Sequence, residues 1–440
     1  MVLSQKVAFN TLIQIASKAT TVVFGLLTTI LLTGYLGREG YGNYMLVMTM
    51  VIMFGALADW GTAIIGVREA SKEKEKQAQI LAEVFLIRLF FALGAAFLMF
   101  LAAFFLPLQS ANQTIVRQGI MLGSLILILF AIKVSFGVVF QTKLQMEKLA
   151  VVDITMSVLI FLISWFFIRL RLGILPLVSA IILASMTALL VAWFLAWRIV
   201  KFDWHFNKDF VRRFFNESLP MGAILLMFTV DNKIDTVMLG SIKGSNAVGI
   251  YAIAYRIYDV LILGAAYLMN ALLPVISQYS NLKQWGEKVK YLYQKAFDIL
   301  LLMGIVVVFL TWLLAPLAVK VLTQQRYFEF FDAVFVLRIL AIALFLAYFN
   351  HLTGYTIVAL GKQRPYFFIA LSALIFNVTA NLILIPRLSY YGAATVTILT
   401  EGLVLIITTI FIFRLLKIIP SVVKFPGTVI QLVKKKGAIF

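Results

Sequence analysis

The sequence predicts an all-α polytopic membrane protein: about 12 transmembrane helices in two parallel six-helix lobes around a central cavity, with both termini cytoplasmic. Composition, the spacing of the apolar runs and an internal duplication carry that expectation. The 440 residues are 62% hydrophobic and 13% charged, with a mean hydropathy of +1.00. Soluble domains hold roughly 45–50% apolar and about 25% charged residues, so an ordinary globular chain is excluded. No polar stretch is long enough to fold as a soluble domain. The chain has no cysteine and two histidines, His205 and His351. Disulfides, thiolate metal sites, cysteine nucleophiles and histidine-rich metal centres are thereby excluded, and no cofactor or metal is expected.

A spanning helix needs about 20 predominantly apolar residues. Runs of that kind fall at 7–34, 42–66, 81–106, 117–142, 149–169, 173–199, 217–240, 247–277, 296–322, 332–358, 365–385 and 391–415. The first run is long, contains Lys18 and leads directly into further spans, which is not the pattern of a cleaved signal peptide. Residues 417–440 carry Pro420, Pro426 and Lys434, Lys435 and Lys436. They are expected to form a cytoplasmic basic tail or an interfacial helix.

Lys and Arg in the connecting loops fix the expected orientation. With the N-terminus inside, twenty-four fall on the cytoplasmic side and eight outside. Basic residues concentrate in cytoplasmic loops, so both termini are placed inside and the protein in the cell membrane. The net charge of +19 then follows from topology and anionic inner-leaflet lipid, and no nucleic-acid partner is expected. Segments 204–215 and 283–296 interleave aromatic and basic residues. They are expected to lie in the headgroup layer as anchors, with substrate gating as the lesser alternative.

The duplication lies in a short motif. Gly37-x4-Gly42-x-Tyr44 follows the first span and Gly244-x4-Gly249-x-Tyr251 follows the seventh, at a common offset of 207 positions. The expected lobes are residues 1–205 and 206–416, six spans each. An even number of spans gives the halves the same orientation, as in parallel repeats that rock about a central path.

Ionisable side chains inside spans are costly and face a cavity or a partner. Lys18 lies about eleven residues into the first run, roughly 16 Å along the helix and close to the midplane. Lys133 and Lys233 come out near mid-depth. These three lysines are read as lining a functional cavity. For Arg88 and Arg256 a cavity role and snorkelling are both open. Arg338 lies nearer an end, and its long side chain can reach the headgroups. Arg256 and Asp259 are spaced to pair within one helix, and Asp231 and Asp235 to share one helix face. Glu401 sits among apolar neighbours with no local basic partner, so it needs a cross-helix partner or a proton. That makes it a candidate proton site. A cationic midplane cavity suits an anionic substrate, and its apolar surroundings suit lipid tails or sugar faces.

Residues 231–240 (Asp231-Asn-Lys-Ile-Asp235-Thr-Val-Met-Leu-Gly240), followed by Gly249-Ile-Tyr251-Ala-Ile-Ala-Tyr-Arg256, resemble the polysaccharide-biosynthesis flippases. Leu36-Gly37-Arg-Glu-Gly40-Tyr41-Gly42-Asn-Tyr44 is similar to the first-half signature of that family, and Asp59-Trp60-Gly61 with Arg68-Glu69-Ala70 to its second-helix ending. The resemblance covers the whole chain in order and length. It implies the multidrug/oligosaccharidyl-lipid/polysaccharide exporter fold, with two lobes about a V-shaped cavity. It also implies translocation of an undecaprenyl-diphosphate-linked oligosaccharide between leaflets. Lys18, Arg88, Lys133, Lys233 and Arg256 would then contact the diphosphate, and Asp59, Asp231, Asp235 and Glu401 are the candidate ion-coupling acids. A polysaccharide polymerase and a chain-length regulator are candidate partners. The competing reading on the same fold is an ion-coupled multidrug antiporter, against which the midplane lysines weigh. A membrane enzyme is disfavoured by short external connections and by two histidines in ordinary settings.

Overall fold

The computed structural model describes residues 3–73, 75–107, 113–204, 207–280, 285–422 and 425, with the side chains of 3–8, 274, 278–280, 285 and 286 set aside. His205 and most of the expected basic tail lie outside the described residues. Among the described residues, thirteen α-helices follow in order: α1 (Leu3–Asp59), α2 (Thr62–Lys72), α3 (Gln77–Phe105), α4 (Gln113–Thr142), α5 (Met146–Arg169), α6 (Ile174–Trp197), α7 (Lys208–Asp231), α8 (Ile234–Lys243), α9 (Ser245–Leu261), α10 (Leu263–Ser280), α11 (Trp285–Thr323), α12 (Asp332–Ala359) and α13 (Gln363–Leu416). A 3₁₀ helix, Gln324–Phe330, joins α11 to α12.

Among the described residues, nine helical stretches are long and apolar enough to cross a membrane. Two are double-length, Phe9–Lys72 with 64 residues and Gln363–Leu416 with 54. At about 1.5 Å per residue, each exceeds twice a hydrocarbon core of about 30 Å. Each is broken near its middle, at Gly37 (φ 66°, ψ −172°) and at Ser389 (φ 53°, ψ −134°). Counted as two crossings each, with the interrupted α7–α8 pair as one more, they account for the twelve expected spans.

Gly37 and its counterpart Gly244 (φ 81°, ψ 177°) occupy the same backbone region, one open essentially to glycine alone. The two copies of the motif therefore turn the chain in the same way. They also meet. Gly42 packs against the carbonyl of Ser245, and Gly249 packs against the carbonyl of Arg38. Ser245 is the counterpart of Arg38, and Gly249 of Gly42, so the contact is reciprocal. A methyl group at either glycine would strike a backbone oxygen. Ser245 Oγ donates to Asn43 Oδ1, and Arg38 Nε donates to Asn246 Oδ1 at 3.0 Å. The 3₁₀ helix ties in through Arg326, whose Nε donates to the Gly34 carbonyl at 2.8 Å.

By compactness the chain divides into two units: Met1–Gly249 with Val321–Glu329, and Ile250–Lys320 with Phe330–Phe440. In the first unit, α6 presents Ala180, Ala184, Ala188, Ala192 and Ala196 at every fourth position, each 0% exposed. Small residues at helical spacing let membrane helices approach closely. The last three pack with Phe136 and Phe140 of α4 and Val152 of α5. In the second unit, α12 supplies the buried core, with Leu337, Leu340, Ala341, Leu344 and Tyr348 all at most 1% exposed.

The structure departs from the sequence expectation in two segments. Residues 208–215 are the first turns of α7, and Phe210 and Phe214 pack in a protein core with Ile65, Ile80 and Val84. Phe210 and Phe214 thus meet protein, while Phe215 stays exposed. Likewise α11 runs without a break from Trp285, with Val289 and Tyr293 buried. The spacing of an interfacial helix and of a core helix is the same, and only the tertiary contacts tell them apart. Residues 281–284 lie outside the described residues.

Candidate functional site

In the first unit the end of α1 is turned by two left-handed residues, Trp60 (φ 43°) and Gly61 (φ 69°). Trp60 stacks on Phe91 at 5.9 Å, and Phe91 on Phe215 at 5.9 Å. Arg88 of α3 bridges this turn. Its Nη1 donates to Asp59 Oδ1 at 2.6 Å and to Thr62 Oγ1 at 2.8 Å, and its Nε donates to Ser135 Oγ at 3.1 Å. The Arg88 side chain is fully buried, and its Nη2 has no hydrogen-bond partner among the described residues. A buried guanidinium of this kind needs its carboxylate. The structure thus brings one candidate diphosphate ligand and one candidate ion-coupling acid into a single neutral pair.

Lys133 of α4 is also matched. Its Nζ donates to Asp153 Oδ1 of α5 at 2.9 Å, touches Met156 Sδ at 3.6 Å and lies 5.1 Å from the Phe130 ring centre. Asp153 keeps 36% of its side chain exposed, against 9% for Lys133, so the pair opens on the acid side. Lys18 of α1 is different. It is exposed, and among the described residues no carboxylate pairs with its ammonium.

Between α7 and α8, Asn232 and Lys233 interrupt the helix, with Lys233 at φ −129° and ψ −14°. The expectation that Asp231 and Asp235 share a helix face fails for this reason, since it needs an unbroken helix. Lys233 and Asp231 are half-buried at the break. Asp235 is 2% exposed, and its Oδ1 accepts the Thr236 backbone N–H at 2.7 Å. A hydropathy profile does not register a two-residue break flanked by apolar sequence.

The second unit holds Arg256 and Glu401. Arg256 is half-buried, its Nε without a hydrogen-bond partner among the described residues. The intrahelical ion pair with Asp259 is not formed, although their spacing permits it. Glu401 of α13 meets α12 and α9. Asn350 Nδ2 donates to Glu401 Oε2 at 2.6 Å and to its backbone carbonyl at 2.8 Å, and Tyr258 Oη donates to Oε1 at 3.5 Å. One turn away, Tyr251 Oη and Thr397 Oγ1 lie 3.4 Å apart. Glu401 therefore finds the cross-helix partners its position demanded, and both are neutral. Asn350 was not singled out in the sequence. It lies 51 positions from Glu401, and an isolated asparagine in an apolar run gives no sign of the partner it meets. His351 is held by Ala347 O at 3.1 Å and stacks on Tyr355. Among the described residues no three His, Cys, Asp or Glu side chains gather as a metal site.

Comparison with known proteins adds lineage to this geometry. The model of the polysaccharide biosynthesis protein family matches residues 7–280, and that of the MatE family matches 220–383. An uncharacterized membrane protein of Methanocaldococcus jannaschii, MJ1375, is 27% identical over 214 residues, which is 48% of each chain. The matched stretch thus spans about half the length of that relative. Among solved structures, an inward-facing multidrug resistance MATE family transporter of the MOP superfamily superposes with a TM-score of 0.73 at 19% identity, covering 90% of this chain and 96% of that one. The lipid II flippase MurJ, in an inward closed conformation, gives 0.72 at 14% identity over 98% and 93%. A MOP superfamily transporter from Pyrococcus furiosus, described as having a binding pocket of reverse polarity, gives 0.66 at 17% over 94% and 96%. At these identities the structural likeness speaks to fold. With the family model matched over more than half of its residues, this multi-pass membrane chain belongs to the polysaccharide biosynthesis protein family and carries the fold of the MOP superfamily transporters.

Proposed function

We propose that this chain is a flippase, not an enzyme, and that it moves an undecaprenyl-diphosphate-linked oligosaccharide across the cell membrane by alternating access. Lys18 is the observation that carries the reading. Arg88 and Lys133 hold acids, whereas Lys18 of α1 keeps an exposed ammonium, and its count along the helix puts it near mid-depth. An unmatched cation in a low-dielectric setting attracts an anion strongly, and a diphosphate supplies one. Lys133 becomes a second ligand if Asp153 is displaced by substrate, and Lys233 and Arg256 extend the cationic set. Arg88 is assigned to holding the α1–α2 turn in place. Glu401 is assigned to ion coupling, as a carboxyl whose partners are neutral, with Asp231 and Asp235 as further acids. The six-span halves 1–205 and 206–416, both entering from the cytoplasm, are the rocking elements of this mechanism. A polymerase and a chain-length regulator would take up its product.

The match of the MatE model to residues 220–383 favours a second reading, a multidrug antiporter coupled through Glu401. Reconstitution separates the two. Liposomes carry a fluorescent undecaprenyl-diphosphate oligosaccharide, and an external sugar-modifying enzyme reports its exposure. Exposure that depends on the protein and is abolished in Lys18→Ala supports the flippase. Ethidium efflux with no sugar exposure supports the antiporter.

A further inference from the structure

The second unit carries a groove of about 800 Å³ between α11 and α12 that the flippase reading does not use. Phe309, Trp312 and Leu313 line one side, and Arg338, Ile342 and Phe345 the other. Phe309 and Leu313 are 66% and 63% exposed. On a membrane-spanning helix, that exposure meets acyl chains. Arg338 breaks the apolar pattern. Its Nε donates to the Trp312 carbonyl at 3.3 Å, and Trp312 Nε1 donates back to the Arg338 carbonyl at 3.2 Å. The guanidinium lies 5.6 Å from the Trp312 ring and 6.0 Å from the Phe335 ring. These contacts hold it against the groove.

Among the described residues no carboxylate pairs with Arg338. Asp332, at the start of the same helix, accepts from Tyr390 Oη at 2.6 Å. The Nη groups of Arg338 are left with no hydrogen-bond partner among the described residues. Arg338 sits about 9 Å from the start of α12 at Asp332, by the rise of the helix. That is within reach of a headgroup phosphate while the groove below runs into the hydrocarbon.

We propose that this groove binds an anionic glycerophospholipid, with its phosphate on the Arg338 fork and one acyl chain along Phe309, Trp312 and Ile342. Charge complementarity selects the occupant. A guanidinium pairs with phosphate through two parallel hydrogen bonds, and a lipid with net negative charge leaves no competing ammonium beside it. The groove includes neither Lys18 nor Glu401, so it stands or falls independently of the transported substrate.

Native mass spectrometry of the purified full chain tests it, with phosphatidylglycerol and phosphatidylcholine of identical acyl chains titrated in detergent. Phosphatidylglycerol is expected to be retained at about tenfold lower concentration, because both phosphates can accept the guanidinium fork but only phosphatidylcholine sets a fixed positive charge beside it. The preference should vanish in Arg338→Gln and persist in part in Arg338→Lys. Equal retention of the two lipids, or an intact preference in Arg338→Gln, overturns the proposal. So does binding of undecaprenyl phosphate in place of phosphatidylglycerol, or a lipid-free dimer seated on this face. Should Arg338→Gln fail to purify as wild type does, Leu313→Trp narrows the exposed groove without touching the charge. Lipid retention should then fall, and unchanged retention counts against the site.

Discussion

Arg88 of the first unit and Glu401 of the second are met in opposite ways. In the first, Arg88 and Asp59 neutralise one another at 2.6 Å across the break that ends α1. In the second, Glu401 is met by the neutral side chains of Asn350 and Tyr258. A matched pair has no reason to exchange ions, because either partner alone is costly. A carboxyl among neutral donors can bind and release a cation without stranding an opposite charge. The first arrangement is suited to fixing a turn, and the second to cycling.

Asp59→Asn should break the comparison most severely. It strands the buried Arg88, at about 3–5 kcal/mol for an unpaired buried charge. Thermal melting followed by fluorescence-detected gel filtration would show the loss, and the double variant Asp59→Asn, Arg88→Met should recover much of it. A full return of transport in that double variant would confirm that the pair is structural, whereas stable but inactive protein would give Arg88 or Asp59 a role in transport. Gly42→Ala comes next. It drives a methyl group into the Ser245 carbonyl, and overpacking of this kind costs about 1–3 kcal/mol. Gly249→Ala should match it, since its methyl group meets the equivalent carbonyl of Arg38. A wild-type melting temperature for either one would contradict the close approach.

Glu401→Gln should barely alter stability, within about 1 kcal/mol, because glutamine preserves an acceptor for Asn350. Transport driven by an imposed proton or sodium gradient should nonetheless be lost. If gradient-driven transport survives, Glu401 is a helix-packing residue and the contrast with the Arg88–Asp59 pair collapses. Lys18→Ala should have the smallest effect on folding, because the side chain is exposed and holds no acid among the described residues. Its effect belongs to substrate exposure alone.

The lengths of the apolar runs made the helices legible in the sequence, and the motif at Gly37 and Gly244 made the repeat legible. Both are local signals. The pairings were not legible. Asp59 and Arg88 are 29 positions apart, and Lys133 and Asp153 are 20 apart. Spacing beyond one helix turn says nothing about which side chains meet. The Arg256–Asp259 pair shows the reverse error, since a permitted local geometry was not the one adopted. In the sequence, the faces of residues 208–215 and of the start of α11 pass for headgroup-facing because amphipathicity records that one side is apolar, not what covers it. For Glu401 the need for a cross-helix partner could be read, and the identity of that partner, Asn350, could not.

The reciprocal glycine contact has a consequence for assembly. Two identical subunits related by a two-fold axis touch in this manner, each offering the other the same patch. A chain with a single copy of the motif would have to find the second on another molecule, and its closure would depend on protein concentration. Joining both copies in one chain makes the encounter intramolecular, so it no longer depends on protein concentration. The flanking positions are then released from matching. Arg38 has Ser245 as its counterpart and Asn43 has Ile250, while both glycines persist. The seam pairs the same glycine from each copy, while each side carries its own flanking chemistry.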